Sequence, residues 1–414
     1  MNKEYDLIVI GGGPAGMMAA GRAAVNGASV LLLEKNNKLG VKLSITGKGR
    51  CNITNAEFDI LSLVKNYGRT GKFLFSAFNK FGPQDIIDFF HERGLSTKIE
   101  RGNRVFPDNA KAYDVIDVFK LYLKKNKVDI ITNAQVTSII LSDKQIEKVV
   151  LQDGRELVAD EYAICTGGKS YPLTGSTGDA YAWLEAIGHK IVSPEPALTA
   201  IVIKDSWVKD LEGLSLKNVA ISVHQNNKKV LSRFGEALFT DNGLSGPIII
   251  DMSKEVGKLL KIGKVSAQID FKPAFTDEAL DKRIQKDFGE SSNKLYRNSL
   301  NLLLPQKLIP VVIKLSGIDP DKKVHSITRA ERLGLVYLLK HLTLEVARLA
   351  GFDRAVVTAG GVDIKEVDPR TMRSKIVKNL FIAGELLDLD GPTGGYNLQI
   401  CWSTGFVVGE NFIF

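Results

Sequence analysis

Glycines 11, 13 and 16, the carboxylate of Glu34 and a second pair at Gly384-Glu385 are the residues of this chain best suited to chemistry. The first set reads Gly11-Gly12-Gly13-Pro14-Ala15-Gly16, a G-x-G-x-x-G pattern. In such a pattern the first glycine makes a tight turn and the second admits a pyrophosphate against the backbone. The third brings helix close to strand. Pro14 and Ala15 then stand at the helix start, where unpaired N–H groups and the positive dipole end attract phosphate. Glu34, with Lys35 beside it, is placed to take adenosine ribose hydroxyls. A carboxylate there disfavours a 2′-phosphate, which argues against NADP in this site.

The elements that must position these residues are legible. Tyr5–Ile10 reads as a buried strand, Met17–Val25 as a helix and Ala28–Leu33 as a second strand. A glycine-rich turn alone is weak evidence. Strand, glycines, helix, strand and acid in order make an ordinary turn a poor explanation. They leave NAD and FAD open, because the two share this half of the fold.

The C-terminal set separates them. Asn379–Ala383 reads as a strand that ends in Gly384-Glu385. A loop through Gly391-Pro392-Thr393-Gly394-Gly395-Tyr396-Asn397 leads into a helix from Leu398. NAD needs no such returning unit. FAD does, since its ribityl chain and isoalloxazine extend beyond the adenine half. Glu385 can accept a ribityl hydroxyl, and Gly395 lets backbone reach the ring. The helix start at Tyr396, Asn397 and Leu398 can stabilise negative charge at the flavin N1–O2 edge. A second glycine fingerprint is missing. Gly175-Ser176-Thr177-Gly178-Asp179 opens a helix but has no preceding strand and no later acid. NAD(P)H, if it is the electron donor, must therefore dock transiently.

At 414 residues the chain has room for two or three domains. Its net charge of +8 is spread over several lysine-rich blocks, without an RNP-type or zinc motif. A solvated surface is the first reading and attraction to RNA the second. Cys51, Cys165 and Cys401 lack metal-site or C-x-x-C spacing, and no metal is expected. Reduced cysteines fit a cytoplasmic location. No apolar run has the length of a membrane span, and the N-terminal apolar stretch is too short for a signal peptide.

The expected fold class is α/β. A Rossmann-like FAD-binding domain (1–195 and 355–414) is split by an inserted β-barrel-like domain (196–272 and 341–354) and a small helical domain (273–340). Ser193-Pro194-Glu195-Pro196 marks the first boundary. Beyond it, Leu198–Ile203, Val219–His224, Lys229–Ser232, Ile248–Ile250 and Lys264–Phe271 read as short strands. Thr276 and Thr328 read as helix starts, and Val356–Gly361 as a strand re-entering the first domain.

The paired glycine units resemble the glutathione-reductase-like FAD superfamily. Thr166-Gly167-Gly168 is similar to its central A-T-G turn, and Val136 stands where a valine contacts adenine. Disulfide reductases carry C-x-x-x-x-C after the ribose acid, whereas Lys38–Asn55 holds one cysteine, so a dithiol relay is excluded. That stretch, K-L-G-V-K-L-S-I-T-G-K-G-R-C-N-I-T-N, resembles the signature of the BaiN/aminoacetone-oxidase-like bacterial flavoproteins. Arg104-Val105-Phe106-Pro107, Gly168-Lys169-Ser170-Tyr171-Pro172 and Thr358-Ala359-Gly360-Gly361-Val362 agree. The resemblance spans nearly the whole chain and implies FAD and three domains. It implies no single substrate, since activities in that family include aminoacetone oxidation, reduction of steroid-like enones and reduction of a ribosomal RNA uridine to dihydrouridine.

Flavin N5 carries hydride in such proteins, so the chain positions and polarises. Lys42, Ser44, Thr46, Gly47 and Asn52 lie where phosphate, ribityl or ring contacts are expected. Arg50 is a candidate for the phosphate, the flavin O4/N5 edge or substrate, or else for an ion pair that holds the loop. Cys51 is a candidate proton donor, with a buried structural thiol as the stronger reading. Arg104 and Tyr171 are candidates for substrate contact or for domain packing. The main expectation is an FAD-dependent oxidoreductase with a small organic substrate entering beside the insertion, aminoacetone-type amine oxidation being one version. The others are an RNA-modifying flavoenzyme and a non-catalytic dinucleotide sensor.

Overall fold

The structure, a computed structural model, describes residues 5–109 and 111–412. The remaining positions of the expected first domain, 1–4, 110, 413 and 414, lie outside the described residues. The chain forms two compact units. One runs to Ala197 and resumes at Phe352, and the other is Leu198–Gly351.

The first unit is built on a five-stranded parallel sheet. Its order is Leu380–Ile382, Ala159–Ile164, Tyr5–Ile10, Val30–Leu33 and Asp129–Ile131. Leu7–Ile10 and Leu31–Leu33 are buried on both faces, as a parallel sheet requires. The helix expected from Met17 begins at Pro14, because proline at the first helical position gives up an N–H that has no partner there anyway. Its face is made of small residues, and Gly16, Ala19, Ala20 and Ala23 are fully or nearly fully buried. The C-terminal helix Tyr396–Asn411 lies against it. A methyl group on Gly405 would overlap the carbonyl oxygen of Ala15, and one on Gly16 would overlap that of Gly11. The close helix–helix and helix–turn contacts therefore depend on missing side chains.

Three smaller sheets complete this unit. Val136–Ser142, Gln145–Leu151 and Glu156–Leu157 form a meander, while Thr97–Glu100, Arg104–Pro107 and Thr54–Asn55 form a second sheet. The boundary signal Ser193-Pro194-Glu195-Pro196 is itself strand. It lies within Ile191–Ala197, which pairs antiparallel with Val357–Val362. The register shifts between Val192 and Glu195, and that irregularity accommodates the prolines.

The second unit is a closed antiparallel barrel with helices. Around the barrel run Ile201–Ile203, Gly243–Ser245, Lys228–Phe239, Ser215–Gln225, Val265–Asp270 and Leu342–Leu349. Ile248–Ile250, expected as a strand, is helical within Pro247–Leu260. Pro247 starts that helix, and Ile248, Ile249, Met252 and Val256 bury one helical face, a period the three-residue run could not reveal. Thr276 and Thr328 do cap helices, at Asp277–Gly289 and Arg329–Lys340. The helices share one hydrophobic core with the barrel, in which Ile221, Ile269 and Leu344 meet Leu280, Leu308 and Leu339.

Two glycine substitutions should separate tight packing from open helix. Gly405→Ala should lower stability by about 1–3 kcal/mol through overpacking. Gly334→Ala adds a methyl to an exposed helix position with nothing within 4 Å. It should raise stability by up to about 1 kcal/mol. Urea denaturation of both variants checks the signs.

Candidate dinucleotide site

The strand order brings the sequence signals together. Gly384, Thr166-Gly167, Gly11 and Glu34 each follow the carboxyl end of a strand, and those four strands are consecutive neighbours. At roughly 4.8 Å between strands, the row from Glu34 to Gly384 spans about 14 Å. The carboxyl edge of a parallel sheet is where open α/β folds bind ligands.

Close backbone contacts build the fingerprint turn. Gly11 holds φ at +109°, and a Cβ there would lie 2.6 Å from the Cys165 carbonyl oxygen. Glu34 is 7 % exposed, and its Oε2 accepts from Gly12 N at 2.8 Å. Its Oε1 accepts from Asn36 N and Asn36 Nδ2, both at 2.8 Å. The carboxylate is thus oriented by the turn beside it. Ala134 N donates to Glu34 O at 2.9 Å, which brings the buried Val136 to the same corner.

Two observations test whether a dinucleotide fits. A methyl group on Gly13 would meet nothing within 4 Å, so the space before the helix N-terminus is open. Thr166 Oγ1, in the central turn, is buried and has no hydrogen-bond partner. A phosphate or hydroxyl laid along the row answers both, supplying an acceptor for the helix N–H groups and a partner for the orphan oxygen.

At the other end of the row, Glu385 joins four segments. Its Oε2 meets Lys42 Nζ at 2.7 Å, and its Oε1 accepts from Thr358 N at 2.9 Å and Ser170 Oγ at 3.0 Å. Lys42 Nζ also donates to Ser170 Oγ at 2.6 Å. Thr358 Oγ1 accepts from Lys169 N at 2.7 Å and Ser170 N at 3.1 Å. Ser170 and Thr358 belong to this network although neither carries a glycine or acid signal of its own; both lie inside the family-like motifs.

The signature stretch is held against the C-terminal glycine loop. Gly47, Lys48, Gly49 and Cys51 all have positive φ. For Lys48 and Cys51 that conformation is unfavourable and must be imposed by surroundings. The clamp follows directly in sequence. Asn52 Oδ1 accepts from Gly395 N at 2.9 Å, while its amide nitrogen faces Thr54 O and Val105 O at 3.0 and 3.2 Å. Asn55 Nδ2 donates to Gly394 O at 3.1 Å, and Trp402 Nε1 donates to Ile53 O at 2.9 Å. Gly395, at φ +100°, has no room for a Cβ against Thr54. Asn397 is spent inside the loop, accepting from Gly391 N and donating to Gly391 O, both at 2.9 Å. Tyr396 O accepts from Tyr67 OH at 2.9 Å, and Leu398 packs partly buried against the core. Ser44 and Thr46 turn their hydroxyls back onto Val41 O and Leu43 O, each at 2.7 Å.

Other candidates have local partners. Arg50 pairs with Glu100 and lies over the Phe106 ring, 4.1 Å from its centroid. The hydrogen bond from Arg50 holds the Glu100 carboxyl below its ordinary range. Arg104 is exposed and donates to Arg101 O at 3.0 Å. Cys51 is wholly buried, and burial pushes its thiol up to about 12. Tyr171 has φ +52° and donates its N–H to Phe352 O at 2.9 Å. Lys35 pairs with Asp179 at 2.7 Å. Among the described residues, no group of three His, Cys, Asp or Glu is placed to hold a metal, and no helix is long and apolar enough to cross a membrane.

Comparison with known proteins agrees with this architecture. Residues 5–411 match the family described as HI0933-like protein Rossmann domain. The chain is 31 % identical to the 3-dehydro-bile acid delta(4,6)-reductase of Clostridium scindens, over 97 % of both chains. It is 28 % identical to the ribosomal RNA dihydrouridine synthase of Haemophilus influenzae, over 98 % of both. In fold it is similar to the 3-ketosteroid delta1-dehydrogenase of Sterolibacterium denitrificans, with a TM-score of 0.54 at 14 % identity over 99 % of both chains. With its cradle, its carboxyl-edge row and its full-length match, the chain belongs to the HI0933-like Rossmann family and is an FAD-dependent oxidoreductase.

Proposed function

We propose that this chain reduces a carbon–carbon double bond conjugated to a carbonyl in a small organic substrate. The observation that supports the cofactor geometry is the row of turns from Glu34 to Gly384 along one sheet edge. The helix N-terminus at Pro14 and the turns at Gly11, Gly13 and Gly16 would hold the pyrophosphate, and Glu34 the ribose. Thr166-Gly167-Gly168 would lie along the middle, and Glu385 would accept from the ribityl chain. The Asn52–Gly395 clamp would set the depth at which the ring lies, with the start of the C-terminal helix at its polar edge.

Once reduced by a nicotinamide donor, bound flavin would supply a hydride from N5 to the electron-poor carbon of a double bond conjugated to a carbonyl, and the neighbouring carbon would take a proton from solvent. The substrate class is drawn from the two full-length relatives. One is named for reducing a bile-acid skeleton and the other for making dihydrouridine. Both reactions saturate such a conjugated bond. The reductase, at 31 % identity, favours the small molecule, and the net charge of +8 favours RNA as the second reading. Amine oxidation is the third. In this reading Cys51 packs the loop and moves no proton, since a thiol held near 12 stays protonated and has no exposed surface.

Anaerobic reduction of the bound flavin by NADH or NADPH, followed by reoxidation with a conjugated enone or with oxygen, tests the proposal. Reoxidation by enone should outpace oxygen. Flavin inert to both nicotinamides but reduced by an amine would make the protein an oxidase. Flavin turned over by neither would leave the sensor. Dihydrouridine formed in RNA, with no enone turnover, would promote the second reading. Cys51→Ala should keep kcat within about threefold of wild type. Glu385→Gln should release FAD at least tenfold more readily. Lys42→Met leaves a mostly buried carboxylate without its cation and should cost about 1–3 kcal/mol of stability, part of which the Lys42→Met/Glu385→Gln pair restores.

A further inference from the structure

The Gly175–Asp179 segment looked like half of a dinucleotide motif but has no strand before it. Its place in the fold explains it differently. Asn36 ties the Glu34 carboxylate to this segment, donating from Nδ2 to Glu34 Oε1 at 2.8 Å and to Thr174 O at 3.1 Å. Lys35 Nζ donates to Thr177 Oγ1 and meets Asp179 Oδ2 at 2.7 Å. Thr177 Oγ1 also donates to Asp179 Oδ1 at 2.7 Å. Ser176 Oγ donates to Gly168 O at 2.9 Å, fastening the same segment to the central turn. Gly175 has φ +94°, and a methyl there would collide with the Asn36 amide. Asp179 begins the helix Asp179–Ala186, so its backbone is anchored.

The segment therefore bridges the two turns between which the adenosine half of the cofactor would lie, fastened to residues 34–36 on one side and to Gly168 on the other. We propose that Asp179 is a positioning residue for that half. It holds Lys35, which fixes the strand end carrying Glu34. Gly175–Asp179 is then a latch over the adenosine end rather than a second nucleotide motif. This inference rests on the FAD reading above.

The test is FAD affinity of the apoprotein, measured by quenching of flavin fluorescence, for Lys35→Met, Asp179→Asn, their double variant and Lys35→Arg. Each of the first two should weaken binding about tenfold. The double variant should be no weaker than either single one, and Lys35→Arg should stay within about threefold of wild type. Raising salt should weaken wild type more than Asp179→Asn, because the pair is partly exposed. Affinity within twofold of wild type in Asp179→Asn would overturn the proposal. So would additive losses in the double variant, which would mean that Asp179 does not act through Lys35. Melting of the apoproteins separates misfolding from lost binding, and a variant that melts like wild type yet binds weakly supports the latch. Wild-type protein that binds no FAD would instead sink the cofactor reading itself.

Discussion

Backbone in this protein must come nearer to backbone than a Cβ permits, and the rest of the first unit is arranged around that requirement. The turn at Gly11 lies against Cys165, the fingerprint helix against the Gly11 carbonyl, and the C-terminal helix against Ala15. Each contact removes a side chain from the carboxyl edge of the sheet. What remains is a strip of turns and helix starts, rich in N–H groups and positive dipole, and suited to a long anionic ligand.

Charge is handled differently at the two ends of that strip. Glu34 is satisfied by uncharged donors, the Gly12 N–H and the Asn36 amide. Glu385 is balanced by the Lys42 ammonium and further held by Ser170 and Thr358. The residues around Glu385 are distant in sequence, so the network forms only when the unit is complete. A partly buried carboxylate with one cation and two further donors is stable as a set and poorly tolerant of losing one member. The strained Lys38–Asn55 loop shows the same dependence. Positive φ at Lys48 and Cys51 persists because Asn52, Ile53 and Asn55 are fastened to the Gly394–Trp402 segment.

Much of this was legible in advance. The strand–glycine–helix order at the N-terminus, the returning unit at Gly384 and the helix caps at Thr276 and Thr328 are local patterns with a local cause. One error was also local, since Ile248–Ile250 reads as a strand because three apolar residues carry no period, and it is helix. The Pro194–Pro196 stretch, legible only as a boundary signal, is paired strand, its prolines accommodated by a register shift. Arg50 shows why single residues were harder. Its candidate roles differed only in which partner reached it, and Glu100 and Phe106 come from strands that pair through a separate sheet.

The cradle, the acid that follows it and the kind of cofactor can be read from residues in order, because turns, caps and strand ends obey rules acting over a few residues. Which motifs share a site is settled by folding alone. Lys42 and Glu385 are 343 positions apart, and Lys35 and Asp179 are 144 apart. No local rule relates them. The parallel strand order does, by setting the ends of four distant strands side by side at one sheet edge.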